Sequence, residues 1–239
     1  MDILIDSGHG GTPKDSGAIG PTGLREADAA LTIANRVGAM LIEAGVNVGF
    51  TRTTDVNMSL QARSNMANRV KARYFLSIHI NSATNPRATG TETFAFRSGG
   101  EGEKLANAVQ RNLVSAIRLP DRGVKFANFH VLRETTMPAA LVEVCFINNP
   151  QEEALLRKAE FIESAAQGIA AGAMEFLGVR DPIVLPPSET VPVGHWAEPY
   201  FDFLNSNGVQ VHERRFNDSI TRGEAIALLA RATQRFMDA

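Results

Sequence analysis

Hydrophobic positions along this chain follow two periods that replace each other several times. Residues 3–5 are a short apolar run, Ile-Leu-Ile, and the glycines at 8, 10 and 11 with Pro13 make the following segment a loop. From about Glu26 apolar residues recur at helical spacing, and Gly45 is placed to end that helix. A strand is expected over 46–52, an amphipathic helix over 59–70 and a second strand over 74–80. Residues 90–96 alternate like a strand, 102–117 read as a helix, 139–147 as a strand interior, and 151–178 as one long helix or two joined ones. Strands alternating with helices predict an α/β fold: a mostly parallel, twisted sheet flanked by helices.

The texture changes after Gly178. The stretch 180–194 contains Pro182, Pro186, Pro187 and Pro192 with no periodic pattern, so it reads as a stiff, extended linker. Helical spacing returns in two pieces near the C-terminus, in a segment too short to bury much core by itself. The expected organisation is a domain over 1–178, a proline-rich linker over 179–190 and a small helical module over 191–239.

Bulk properties narrow the function classes. With 44% hydrophobic residues, 21% charged residues and a formal net charge of -2, the chain lacks the basic excess of a nucleic-acid binder. The single cysteine, Cys145, excludes an intramolecular disulfide and a cysteine metal cluster, and it reads as a small core residue. Any metal must therefore be held by His and carboxylates. No basic segment followed by a long apolar run opens the sequence, so the expectation is synthesis in the cytoplasm without a signal peptide. No run is long enough to suggest a membrane span.

Polar side chains stand where three of the apolar runs would otherwise continue or close. Asp6 and His9 follow the first strand, His79 sits between Ile78 and Ile80, and Glu143 lies inside Ala-Leu-Val-Glu-Val-Cys-Phe. In an open α/β sheet functional groups collect beyond the carboxyl ends of the strands, so His9 and His79 are candidates to share one crevice. Two imidazoles there suit a zinc site with three protein ligands and one open position. Glu26, at the start of the first helix, is the best third ligand, with Asp6, Asp15 and Asp28 as competitors. Glu143 is expensive to bury unless it is paired, open to a cleft or beside a cation, and next to a metal it is placed to act as general base.

Each of these residues also has a structural reading. His79 alone is compatible with a satisfied strand histidine, Ser-Gly-His-Gly-Gly with a glycine turn or anion nest, Glu26 with a helix-dipole carboxylate, and Glu143 with an Arg partner. Arg52, Asp55 and Arg63 read as ion-pairing residues that fix the fold. His130 is expected in a strand or at a sheet edge, with a possible substrate contact, and His195 and His212 as structural or surface residues.

Five stretches taken in order resemble the zinc-dependent N-acetylmuramoyl-L-alanine amidases of the type 3 family: Ile-Asp-Ser-Gly-His-Gly-Gly, Gly-Leu-Arg-Glu-Ala-Asp, the run from Thr51 to Asn68, Ser-Ile-His-Ile-Asn-Ser, and the stretch from Arg122 through Glu143 to Leu156. The similarity runs from about Ile3 to Gly178. It implies that His9, Glu26 and His79 bind one zinc ion and that Glu143 is the catalytic acid/base. The implied reaction is hydrolysis, by a zinc-activated water, of the amide joining N-acetylmuramic acid to the L-alanine of the peptidoglycan stem peptide. Ser7 stands where that family commonly has proline, and Cys145 where glycine is frequent.

Residues 191–233 resemble one surface-layer homology motif, which implies attachment to peptidoglycan or a secondary cell-wall polymer and possible homo-oligomer formation through copies of this module. An endolysin or a sporulation lytic enzyme, acting at the bacterial cell wall after release, is the expectation. The competing functions are a zinc peptidase or carboxypeptidase on wall peptides and a non-catalytic wall-binding protein.

Overall fold

The structure, a computed structural model, describes residues 1–179. Six strands and six helices follow in the order β1 (Ile3–Ser7), α1 (Glu26–Glu43), β2 (Val48–Phe50), α2 (Leu60–Arg69), β3 (Tyr74–Asn81), β4 (Thr91–Ala95), α3 (Glu101–Ile117), β5 (Asp121–Phe126), α4 (His130–Arg133), β6 (Ala139–Phe146), α5 (Pro150–Leu156) and α6 (Ala159–Leu177). The strands make one sheet in the order β2-β1-β3-β6-β4-β5. All neighbours are parallel except β4 and β6, so β4 and β5 run against the other four strands.

Alternation along the strands sorts their side chains onto two faces. Ile3, Ile5, Leu76, Ile78, Ile80, Val142 and Val144 point into the larger core, formed with apolar residues of α1, α3 and α6. Leu4, Phe75, Ala139 and Leu141 point the other way, into a smaller core closed by Ala67, Val131 and Leu132 of α2 and α4. That second layer is short. Further along the same face, past Phe75 and Ser77, β3 carries His79, and past Leu141, β6 carries Glu143.

Helix ends agree with local chemistry. Ser59 caps α2 by accepting from the Ala62 amide, and Asn149 caps α5 by accepting from the amides of Gln151 and Glu152, with Pro150 in the first turn. The long helical pattern over 151–178 resolves into two helices, broken at Arg157 and Lys158. Cys145 is buried in the larger core.

Two elements were not expected from the pattern. β5 is an edge strand whose residues are exposed or only partly buried, so no apolar alternation marks it, and Gly123 interrupts it. His130 opens α4 instead of lying in a strand or at a sheet edge. The apolar residues around it serve a single helical turn, in which Val131 and Leu132 are both buried, and one turn is too short to establish a period. The linker over 179–190 and the module over 191–239, with His195 and His212, lie outside the described residues beyond Val179.

Candidate metal and hydrolytic site

His9, Glu26 and His79 come together at the carboxyl ends of β1 and β3, and one ligand atom from each lies within 4.8 Å of the others. Glu26 Oε1 is 2.8 Å from His79 Nδ1 and 3.3 Å from His9 Nε2. It also accepts from the Ile80 amide, while Oε2 accepts from the Ala18 amide at 2.9 Å. His9 Nδ1 is 2.6 Å from Asp15 Oδ1, which leaves Nε2 as the nitrogen turned toward Glu26. The two rings meet edge to face with centroids 5.0 Å apart. Two imidazoles and one carboxylate converging on one point form a donor set suited to a divalent metal.

The competing carboxylates have other work. Asp6 is buried against Arg63, Asp28 pairs with Arg25, and Asp15 orients His9 from behind. A carboxylate in that position fixes both the tautomer and the angle of a metal-binding imidazole. In the sequence Asp15 stands only as a candidate ligand, with nothing to mark it as a partner of His9.

The loop carrying His9 is held from below by two arginines. Arg63 is 1% exposed. It donates to Asp6 Oδ1 at 2.7 Å, to His9 O at 2.6 Å, to Met58 O at 3.1 Å and to Ser7 O. Arg52 donates to the carbonyls of Ser7, Gly8, Ala27 and Thr54. Only Arg63 forms the ion pair expected of these residues. Arg52 serves backbone carbonyls, and Asp55 accepts from the amides of Gly11 and Thr12.

These bonds fix His9 at φ 54°, a left-handed conformation that a side-chain-bearing residue adopts at a cost of about 1–2 kcal/mol. Gly8 leaves room for the site, since a Cβ there would lie 2.3 Å from His79 Cε1. Gly17, at φ +65°, is also closely packed, with its Cβ position 2.7 Å from both His9 Cδ2 and Glu26 Oε2.

Charge balance inside the trio is lopsided. Burial works to raise the Glu26 pKa, but hydrogen bonds to His79 and His9 overcome it and hold the carboxyl well below the usual range. Burial likewise works to lower His9, and the Glu26 and Asp15 carboxylates override it, raising the imidazole from 6.5 to about 8.

Glu143 stands next to this trio. It is the register partner of His79 across the β3–β6 ladder. Among the described residues its Oε2 is buried without a hydrogen-bond partner, so the reading in which an Arg satisfies it does not hold. Burial first, and then the charges of Glu26 and Glu92, push its carboxyl well above the ordinary value. A carboxyl group this uncompensated is a candidate proton carrier.

Two further buried carboxylates tie together backbone segments on either side of these strands. Glu153, 1% exposed, accepts from the amides of Thr22 and Leu24 and so ties down the turn leading into Glu26. Glu152 accepts from the amides of Gly90 and Phe146 and joins the start of β4 to the end of β6. In the sequence they look like ordinary first-turn acids of a helix. His130 Nε2 lies 3.5 Å from Ser64 Oγ and is not part of the trio.

Comparison with known proteins identifies the family of the chain. A family model described as N-acetylmuramoyl-L-alanine amidase matches residues 3–175. The chain is 40% identical over 183 residues to the sporulation-specific N-acetylmuramoyl-L-alanine amidase of Bacillus subtilis, covering 75% of this chain and 69% of that protein. It is 38% identical over 185 residues to the endolysin of Bacillus phage SPP1, covering 74% and 66%. Among solved structures, the catalytic domain of CwlV, an N-acetylmuramoyl-L-alanine amidase from Bacillus (Paenibacillus) polymyxa, is similar at a TM-score of 0.71 and 40% identity, covering 75% of this chain and 100% of that one. The loop that carries His9, the strands that carry His79 and Glu143 and the helix that begins at Glu26 all fall inside the matched stretch, and the chain belongs to the N-acetylmuramoyl-L-alanine amidase family.

Proposed function

We propose that this protein is a zinc-dependent peptidoglycan hydrolase that cleaves the amide between N-acetylmuramic acid and the L-alanine of the stem peptide. The observation that carries the reading is the unpartnered, buried Glu143 carboxylate in register with His79 of a His-Glu-His trio. His9, Glu26 and His79 would hold the metal, and Asp15 would fix the His9 ring. Zinc bound there would acidify a water and polarise the scissile carbonyl, and its charge would bring Glu143 into the ionised range. Glu143 takes the proton of the attacking water and returns it to the amine of the departing L-alanine, so one C–O bond forms as the C–N bond breaks. The trio's neighbours leave little slack. Arg63 and Arg52 fix the backbone on both sides of His9, which keeps the ligand atoms pre-organised.

The substrate lies in the bacterial cell wall, which is therefore the proposed place of action. The endolysin and the sporulation-specific amidase among the relatives support a lytic role of either kind. Residues 191–239 are proposed, from their sequence alone, as a wall-binding module for peptidoglycan or a secondary polymer, with self-association through that module.

The test compares wild type with Glu143→Gln on isolated peptidoglycan, with zinc content measured and the products identified by mass spectrometry. Both proteins should bind about one zinc per chain, and only wild type should release stem peptides bearing a free L-alanine amine. Release of single amino acids would instead indicate a peptidase. Full activity of Glu143→Gln would refute the assignment of the proton carrier.

A further inference from the structure

Beside Glu143 the sheet carries charged groups that the hydrolysis above does not use. Glu92 of β4 is the antiparallel register partner of Glu143 and is buried. Its Oε1 accepts from Asn81 Nδ2 at 2.7 Å, and its Oε2 accepts from Arg122 Nε at 2.7 Å and from the Lys125 ammonium. Register partners on neighbouring strands project on one face, as do residues two apart along a strand. His79 and Asn81 of β3, Glu143 of β6, Glu92 of β4 and Lys125 of β5 therefore form one row across the open side of the sheet.

The charges of Glu92, Arg122 and Lys125 do not cancel among themselves. Burial works to raise the Glu92 pKa, but Lys125, Arg122 and Asn81 together hold it below the ordinary value, so the carboxylate is ionised. One anion then faces two cations, Arg122 and Lys125, and the group keeps a net positive charge. Satisfying a single carboxylate needs only one of them.

Both cations also retain donors. Their side chains are 37% and 41% exposed. Among the described residues Arg122 Nη1 has only the Thr89 carbonyl at 3.3 Å and Nη2 has no acceptor. The guanidinium lies over the Phe146 ring, 4.8 Å from its centroid, which fixes the plane of the fork before anything binds.

Resting on the amidase reading above, we propose that Arg122 and Lys125 form a subsite that recognises a free carboxylate on the stem peptide, one residue beyond the L-alanine whose amide is cut. In peptidoglycan that second residue is joined through its side-chain carboxyl, so its α-carboxyl group is left either free or amidated. Spacing suits this assignment. Neighbouring strands lie about 4.8 Å apart, and the two side chains lean back from β5 over Glu92, which sets their charges about one to two strand spacings from Glu143. Two extended residues span roughly 7 Å, the reach from the scissile carbonyl to that carboxylate. A carboxylate gives an arginine fork and an ammonium two anionic acceptors, whereas a carboxamide keeps one neutral acceptor and turns N–H donors toward theirs in place of the other.

The experiment uses the full-length zinc-loaded protein and two disaccharide tripeptides that differ only in carboxylate or carboxamide at the second residue. The ratio of their kcat/KM values is the readout, because any general loss of activity or folding cancels in it. Wild type should favour the carboxylate substrate by about 10-fold or more, carried mainly by KM, as expected for a partly exposed charge-assisted contact. Arg122→Gln and Lys125→Gln should each reduce that ratio, and the double variant should bring it near unity. Glu92→Gln should raise it, since the internal competitor for the two cations is gone; a merely structural Glu92 would leave it unchanged. Equal rates of wild type on the two substrates, or a preference that survives the double variant, would overturn the subsite while leaving the amidase reading intact. Cleavage of neither substrate would sink both.

Discussion

Replacing Arg63 by Met tests whether the site is built from the buried ion pair beneath it. The guanidinium and the Asp6 carboxylate are 2.7 Å apart with side chains 2% and 1% exposed. Removing Arg63 leaves Asp6 with only the hydroxyls of Thr51 and Ser77 at 2.7 and 2.6 Å, and strips donors from the carbonyls of Ser7, His9 and Met58. Stranding a buried charge in this way costs about 3–5 kcal/mol. In a domain of this size each kcal/mol moves the midpoint by roughly 2–4 °C, so Tm should fall by about 6–20 °C. The assay is thermal unfolding of chelator-treated protein followed by circular dichroism, with zinc affinity measured in parallel. Zinc affinity should fall as well, because the His9 carbonyl loses the donor that holds its left-handed backbone. If the stranded carboxylate is the cause, adding Asp6→Asn to Arg63→Met should recover at least about 1 kcal/mol, a coupling that a double-mutant cycle reads directly. A loss below about 1 kcal/mol in the single variant, or simple additivity in the double, would refute the reasoning.

Three further outcomes follow from the same geometry. Asp15→Asn, which keeps the shape but weakens the acceptor behind His9 Nδ1, should lower zinc affinity about 10- to 100-fold in a competition with a chelating dye, and unchanged affinity would deny Asp15 its orienting role. Gly8→Ala puts a Cβ 2.3 Å from His79 Cε1, so it should displace that imidazole, cost about 1–3 kcal/mol of stability and reduce the zinc retained after dialysis; full retention would show that the ring has room to spare. Arg63, Ser77 and Thr51 outweigh the cost of burial and hold the Asp6 pKa below its ordinary 3.8, so its stabilisation is complete above that value and is lost as pH falls through the lower folded-state pKa. Urea midpoints of wild type should therefore drop steeply below about pH 4 and those of Asp6→Asn less so, while parallel curves would exclude Asp6 as a source of acid sensitivity.

The parts of this molecule that could be read from its sequence are those in which a residue contradicts its surroundings. His79 and Glu143 interrupt apolar strands, and Asp6 and His9 come just after the apolar run Ile3–Ile5, so each stood out against a period-two pattern that burial had otherwise made uniform. The long helices α1, α3 and α6 were legible because each turns an apolar stripe to the larger core. Residues that conform to their local pattern stayed hidden, whatever they do in space. Glu152 and Glu153 obey the preference for acids in a first helical turn, yet they are buried and hold loops that are distant in sequence. Arg122 and Lys125 sit on an edge strand that carries no apolar alternation, so neither the strand nor its charged row announced itself.

That difference follows from where the free energy is stored. Periodicity reports burial, a property each residue has largely by itself, and so it survives in a one-dimensional reading. The electrostatic state of the site is instead a property of pairs: Glu26 is acidified by His79 and His9, Glu143 is pushed the other way by burial and two carboxylates, and Asp15 supports His9 from the side opposite Glu26. The Glu26 contact with His79 joins residues 53 apart, and the Arg63 contact with Asp6 joins residues 57 apart. Such pairs exist only once the sheet order has brought β1, β3 and β6 side by side with the start of α1 over their ends. The sequence could nominate Glu26 over Asp15 by its position at a helix start, but the distinction between a ligand and the residue that aims one is made by which oxygen meets which nitrogen. His9 Nδ1 turns to Asp15 and Nε2 to Glu26, and the division of roles proposed for the two carboxylates rests on that orientation.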